Sequence, residues 1–231
     1  MKTQIDNLFF ERRLREDGFK FIAGGDEAGR GPWAGDVYAA FVILNPEFYL
    51  EGLNDSKKLT AKKREILSEE IKSRALAYSI ASASPEEIDK LNILEATRLA
   101  FKRAFEGLHI TPDYVLLDFI QLPWLQTPHE ALVKGDSLSA SISAASILAK
   151  VARDKEMESM ALKYPEYAFD KHKGYGTALH KEMLLKYGPC EIHRKSFKPV
   201  KELLQEPFES VSKDSSFKIP LNKFPQQNSL F

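Results

Sequence analysis

The segment Gly24-Gly25-Asp26-Glu27-Ala28-Gly29-Arg30-Gly31-Pro32 restricts the possible folds of this chain more than any other stretch. Two adjacent carboxylates stand between two glycine pairs, with an arginine embedded in the second pair. The apolar run Phe21-Ile22-Ala23 leads into it and reads as a strand entering a core. Val37 to Leu44 is a second strand, linked closely enough to the first to form an antiparallel hairpin. An Asp-Glu pair taken alone is usually a solvated turn. At the end of, or within, a buried strand, the same pair requires a counter-charge, because an unpaired buried carboxylate is expensive. Carboxylates are the preferred ligands of a hard divalent ion such as Mg²⁺. Glycines let the backbone approach a ligand closely, and an arginine fork grips phosphate. Together these features point to phosphodiester chemistry.

The design recurs twice. Tyr114-Val115-Leu116-Leu117-Asp118 is a buried strand ending in a carboxylate, and Ala131-Leu132-Val133-Lys134-Gly135-Asp136 repeats the design as an apolar strand, then a carboxylate. Acids that end neighbouring strands can converge at one sheet edge, where they repel one another unless cations bind between them. Paired ions in such a site activate a water and stabilise the leaving oxygen of a phosphodiester. Adjacent residues of a regular strand point to opposite faces. Asp26 and Glu27 are therefore expected to reach one site through a departure from regular pleating, which the flanking glycines permit.

Helices separate these strands. Thr60 is placed to cap a helix with Ile66, Leu67 and Ile71 on its apolar positions. Ala75 to Ala83 reads as a strand. Ser84-Pro85-Glu86-Glu87 is a helix start with a capping box, and the helix is expected to run to about Gly107 with Ile88, Leu91, Leu94, Ala96, Leu99 and Phe105 inward. Ser139 to Ala152 is a helix of small residues suited to lie tightly on the sheet, its register continuing to Glu158. Thr177 opens a helix to about Tyr187, and Pro199 to Leu204 a last short one. Alternating strands and helices predict an α/β layered fold with a central mixed β-sheet.

The chain has 231 residues, with 33 basic and 33 acidic side chains and no formal net charge. Polyanion binding must therefore come from local segregation of charge. Such groups exist at Lys57, Lys58, Lys62, Lys63 and Arg64, at Lys171 to Lys173, and at Arg194, Lys195 and Lys198; runs of this kind are commonly solvated helix faces. The polar N-terminus has no apolar stretch of the secretory type. One cysteine, Cys190, excludes an internal disulfide and fits a reducing cytosol, so a cytoplasmic location is expected.

Several ordered motifs resemble ribonuclease HII: Asp26 to Pro32, Asp55-Ser56-Lys57-Lys58-Leu59, Lys134-Gly135-Asp136, Ser143 to Asp154, and His172-Lys173-Gly174-Tyr175-Gly176-Thr177. The likeness spans roughly Phe21 to Val200. It implies a ribonuclease H-like fold with a C-terminal helical extension. The implied activity is endonucleolytic cleavage of RNA in RNA–DNA hybrids and at single ribonucleotides in duplex DNA. Products would carry 3′-hydroxyl and 5′-phosphate ends, with Mg²⁺ or Mn²⁺ as cofactor. The resemblance places the metal-binding, catalytic acids at Asp26, Glu27, Asp118 and Asp136. It places the substrate-contacting loop at Gly29, Arg30 and Gly31, and the substrate-sensing tyrosine at Tyr175. Lys57 and Lys58 would contact phosphates without reading sequence. Phe119 stands where the family usually has glycine, and Trp33 and Asp36 replace commoner residues beside the glycine loop. Asp154 is expected outside the metal set.

Residues 1–206 are expected to form the catalytic domain with its C-terminal helices, and 207–231 a flexible tail. Gln227-Asn228-Ser229-Leu230-Phe231 is similar to short bacterial sliding-clamp-binding peptides, with Gln227, Leu230 and Phe231 as the contacts. A monomer is expected, with no membrane partner.

Overall fold

Five strands form one sheet: β1 (Ile22–Ala28), β2 (Val37–Ile43), β3 (Ala77–Ala83), β4 (Tyr114–Asp118) and β5 (His129–Leu132). Their spatial order is β3-β2-β1-β4-β5. β1 pairs antiparallel with β2, and β2 with β3. On the other side β1 pairs parallel with β4, and β4 with β5. The sheet is mixed, as its short hairpin and long crossovers require. These elements come from a computed structural model that describes residues 7–47, 53 and 59–205. Lys57, Lys58 and the whole segment 206–231 lie outside the described residues.

Eight helices are present among the described residues: α1 (Phe9–Glu16), α2 (Ala61–Arg74), α3 (Pro85–Leu91), α4 (Ile93–Glu106), α5 (Ala140–Lys163), α6 (Phe169–His172), α7 (Ala178–Tyr187) and α8 (Lys198–Gln205). The sheet separates two apolar layers. Val37, Ala39, Phe41 and Ile43 of β2 face α3 and α4, packing on Ile88, Ala96, Ala100 and Phe101. Ala40 and Val42 face the other way, onto Ala144, Ala145 and Leu148 of α5. Period-two alternation on a strand buried on both faces leaves β2 almost wholly apolar.

α5 is the helix that positions the site. It lies so close to β1 that a Cβ at Gly24 would stand 2.1 Å from the backbone carbon of Ser141. Only glycine fits there, and the small residues Ser141, Ser143, Ala144 and Ala145, all buried, keep the helix at that distance. Its N-terminus receives an unforeseen partner. Glu11 of α1 is 1% exposed, and its Oε1 accepts from the Ser141 N–H at 2.9 Å and from the hydroxyls of Ser139 and Ser141 at 2.6 and 2.7 Å. A carboxylate there satisfies otherwise unpaired helical N–H groups and complements the helix dipole.

Three expectations change. The helix predicted from Ser84 to Gly107 is two helices, broken at Asn92, which has φ of 75°. The Asn92 side chain accepts from the N–H groups of Leu94 and Glu95 and so starts α4. The break rotates the helical faces, leaving Leu91 and Leu94 exposed rather than inward. Ile66 of α2 is also exposed, while Leu67 and Ile71 are buried. The capping box at Ser84 and Glu87 forms as predicted. Among the described residues no helix is long and apolar enough to cross a membrane.

Gly24→Ala is expected to destabilise the protein by about 1–3 kcal/mol through overpacking at the β1–α5 contact. Chemical denaturation measures this, and an unchanged midpoint would show that the contact yields freely.

Candidate active site

The parallel ladder between β1 and β4 sets Gly24 against Leu116 and Gly25 against Leu117. Continued by one step, the same register puts Asp118 level with Asp26. Both side chains project toward α5, because Gly24 and Leu116, two residues earlier, do so. Asp26 is 6% exposed. Its carboxylate accepts from the Glu27 N–H at 2.8 Å and from the Ser146 hydroxyl of α5. Burial first, then repulsion from Glu27 and Asp118, holds the Asp26 carboxyl well above the ordinary carboxylate range.

Glu27 belongs to the same unbroken ladder, paired with Ala39 as Asp26 is with Ala40. The expected departure from pleating is absent. Glu27 extends from the opposite face near the strand end, where its Oε1 lies 3.3 Å from the Arg30 guanidinium. Asp118 Oδ1 accepts from the Gly135 N–H at 2.8 Å. That bond ties the end of β4 to the 3₁₀ turn Gly135–Ser137, which carries Asp136, 6% exposed. Asp136 thus follows β5 through a turn. Among the described residues, no group of three or more His, Cys, Asp or Glu side chains is arranged to hold a metal ion. The donor set nevertheless fits one in kind. It is all carboxylate oxygen, suited to hard divalent ions, and the like-charge pressure on Asp26 is what such an ion relieves.

The loop after β1 is held from beneath. Arg194, fully buried, spends all five donors on it. Nε bonds Gly35 O at 2.9 Å, Nη1 bonds Arg30 O at 3.1 Å and Pro32 O at 2.8 Å, and Nη2 bonds Gly29 O at 2.6 Å and Asp36 O at 3.1 Å. Burial pushes the Arg194 pKa down, yet five carbonyl acceptors favour the charged form. Gly29 has φ of 99°, and a Cβ there would lie 2.3 Å from Arg153 Nε. The loop thus demands glycine on both conformational and steric grounds. Arg30 stays 45% exposed at the loop tip.

Tyr175 sits above the same α5 helix, 43% exposed. The Arg153 guanidinium lies 5.5 Å and the Lys150 ammonium 5.8 Å from its ring centre. Arg153 also donates to Lys173 O at 2.8 Å and Ala34 O at 3.2 Å. Behind Tyr175 runs a chain of buried imidazoles. His180 Nδ1 lies 3.0 Å from Tyr175 O, His180 Nε2 3.0 Å from His193 Nε2, and His193 Nδ1 2.9 Å from the Cys190 N–H. A carbonyl only accepts, so His180 donates from Nδ1 and accepts at Nε2. His193 then donates from Nε2 and accepts at Nδ1. His172 stacks on His180 at 4.3 Å, faces Tyr167 O through Nε2 and accepts the Gly174 N–H at Nδ1. Every bond in this chain needs neutral rings. Burial, and repulsion among the rings, drives His180 down to about 3, and burial drives His193 down to about 4.

A sequence model described as ribonuclease HII matches residues 23–200. The chain belongs to the ribonuclease HII family. It is 53% identical over 199 residues to a ribonuclease HII of Caldicellulosiruptor saccharolyticus, covering 85% of this chain and 97% of that one. The crystal structure of ribonuclease H2 from Pyrococcus horikoshii matches with a TM-score of 0.69 and 27% identity, over 80% of this chain and 97% of that one. A structure of the PCNA:RNase HII complex from Archaeoglobus fulgidus matches with a TM-score of 0.66 and 27% identity, over 81% and 98%. The sheet and its flanking helices are therefore a ribonuclease H-like fold, and the chain is a metal-dependent nuclease with ribonuclease H activity on RNA–DNA.

Within this ribonuclease HII, the unusual residues have distinct places. Trp33 stacks beside His180 at 5.3 Å and donates its backbone N–H to Gly174 O, joining the glycine loop to the Tyr175 loop. Asp36 accepts from the Ser82 hydroxyl at 2.7 Å. Burial and the neighbouring Asp36 raise Glu156 to about 7. Phe119 has φ of 40°, a backbone region that favours glycine. Asp154 pairs with Lys150 at 2.7 Å and Arg64 at 3.7 Å. Arg194, His180 and His193 were not legible as positioning residues. Arg194 sits in a basic run, and nothing local distinguishes it from a solvated lysine.

An unfolded histidine titrates near its ordinary 6.5, so between that pH and about 3 to 4 the unfolded chain binds protons that native His180 and His193 refuse. Their contribution to stability is complete above pH 6.5 and is lost as pH falls. Glu156 acts in the opposite sense, since its native proton is lost as pH rises toward about 7. Proton NMR separates the two: the ring signals of His180 and His193 should not titrate between about pH 8 and pH 5. A midpoint near 6.5 at either ring would refute the neutral chain.

Proposed function

We propose that this ribonuclease HII cuts the RNA strand of RNA–DNA hybrids, and the 5′ side of a ribonucleotide embedded in duplex DNA. The products are a 3′-hydroxyl and a 5′-phosphate, and the cofactor is a pair of Mg²⁺ or Mn²⁺ ions. The observation that carries the assignment is the register that sets Asp118 level with the buried, like-charge-stressed Asp26. Asp26, Asp118 and Asp136 would hold the ions, and Glu27 would join them around the strand end, its carboxylate close enough to raise the Asp26 pKa. When bound, such ions activate a water and stabilise the leaving oxygen of a phosphodiester.

The remaining roles belong to the chain's own groups. Backbone groups of Gly29 and Gly31, kept in place by Arg194, are available to hydrogen-bond the 2′-hydroxyl, the group that distinguishes RNA from DNA at one nucleotide. Arg30, exposed at the loop tip, is suited to a phosphate. The Tyr175 ring, backed by Arg153 and held through His180, would stack on the next deoxyribose, where an added hydroxyl would clash. Lys57 and Lys58, outside the described residues, would add phosphate contacts that set register without reading sequence. The tail peptide at Gln227, Leu230 and Phe231, also outside the described residues, is proposed to bind a sliding clamp; the Archaeoglobus relative is known as a complex with PCNA. A tethered contact of this kind raises the local concentration of enzyme on DNA.

Asp26→Asn should reduce cleavage of a duplex bearing one ribonucleotide by about a thousandfold or more while largely keeping duplex binding. Gel assays with all-DNA, single-ribonucleotide and hybrid duplexes in Mg²⁺ and Mn²⁺ measure it. Parental rates in the variant would overturn the metal assignment. Deleting Gln227 to Phe231 should abolish capture by an immobilised sliding clamp and leave hybrid cleavage unchanged; capture that survives the deletion would refute the tail's role.

A further inference from the structure

One large apolar side chain next to the acids is left mostly to solvent. Phe119 is peptide-bonded to Asp118, is 75% exposed and joins no ring contact among the described residues. Its backbone occupies φ of 40°, a region that bulky residues avoid at a cost in stability. A fold optimised only for stability would place glycine there. The Phe119 N–H donates to Leu132 O at 3.1 Å, and the β4–β5 register, with Asp118 opposite Leu132, sets Phe119 beside Val133. Val133 is itself 63% exposed, and Lys134 after it is exposed with φ of 58°. An aromatic ring, an aliphatic side chain and a cation thus form a rim between Asp118 and Asp136.

We propose that Phe119 is a substrate-contacting residue whose ring packs on the sugar face of a nucleotide flanking the scissile phosphate. This rests on the nuclease activity proposed above. The occupant follows from the rim's place and chemistry. It adjoins Asp118 at the end of β4 and Asp136 in the turn after β5, so a duplex laid on those acids lies beside it. Lys134 supplies the charge a phosphate backbone requires. An aromatic face accepts any nucleotide without reading its sequence. The positive φ turns the ring outward from the sheet end instead of into the core, so the backbone strain and the exposure have one explanation.

The test uses the full chain with Mg²⁺ and a duplex bearing a single ribonucleotide, in steady-state kinetics. Phe119→Gly should raise KM roughly five- to tenfold, with the loss falling on KM rather than kcat, and should melt no lower than the parent because the strained position is relieved. Phe119→Asn, also at ease with positive φ but lacking the ring, should match it. Phe119→Trp should keep KM within about twofold of the parent. An unchanged KM in both the Gly and Asn variants, or a loss confined to kcat, would overturn the contact. So would a dimer, seen by light scattering, that Phe119→Gly dissolves, because the rim would then be covered by a second copy. A parent that cuts none of the duplexes sinks the activity itself, and is thereby distinguished from a parent that cuts normally while Phe119→Gly leaves KM unaltered.

Discussion

The near-contact between β1 and α5 governs the rest of this molecule. Gly24 has no room for a Cβ against Ser141, and the buried serines and alanines that follow keep the helix pressed on the sheet. That proximity brings the Ser146 hydroxyl to Asp26. It also carries Arg153, farther along the same helix, to the underside of Gly29 and the Tyr175 ring. A larger residue on either surface would part the layers and separate the acids from the loops around them. Glu11 secures the helix at its start, where the dipole and the unpaired N–H groups both favour an anion.

Beyond the sheet, the loops are fixed by polar groups that are themselves buried. Arg194 gathers five carbonyls from one loop, and an imidazole chain carries rigidity from Cys190 to Tyr175. Buried polar networks of this kind are costly unless every member is satisfied, and once satisfied they specify a single arrangement. An enzyme gains from that rigidity, because a displacement of an ångström at a positioning group costs much of the rate. The same logic separates Phe119 from its surroundings. It contributes strain and exposed apolar area, which stability alone does not account for.

Much of this was legible from residues in order. The strands Tyr114 to Asp118 and Val37 to Ile43, the capping box at Ser84, the Thr60 cap and the small-residue face of α5 follow from alternation, cap chemistry and side-chain volume. The break at Asn92 was not legible. Helical spacing of apolar residues continues across it, and only the left-handed backbone at Asn92, with its side chain bonded to Leu94 and Glu95, ends one helix and starts the next. The same limit applies to Arg194. In sequence it belongs to a basic run, and its burial depends on a loop more than 150 residues earlier folding around it.

The amino-acid order by itself determined the layered α/β class, the strand-then-carboxylate design and the family motifs, because periodicity and local chemistry are properties of neighbours in the chain. Tertiary structure alone decided that Asp26 stands level with Asp118, that Glu27 approaches from the opposite face of an unbroken ladder, and that Asp136 is joined to Asp118 through the Gly135 N–H. It likewise decided which cations face solvent and which disappear into the interior. Register, burial and electrostatic coupling arise between segments distant in sequence, and no local pattern encodes them.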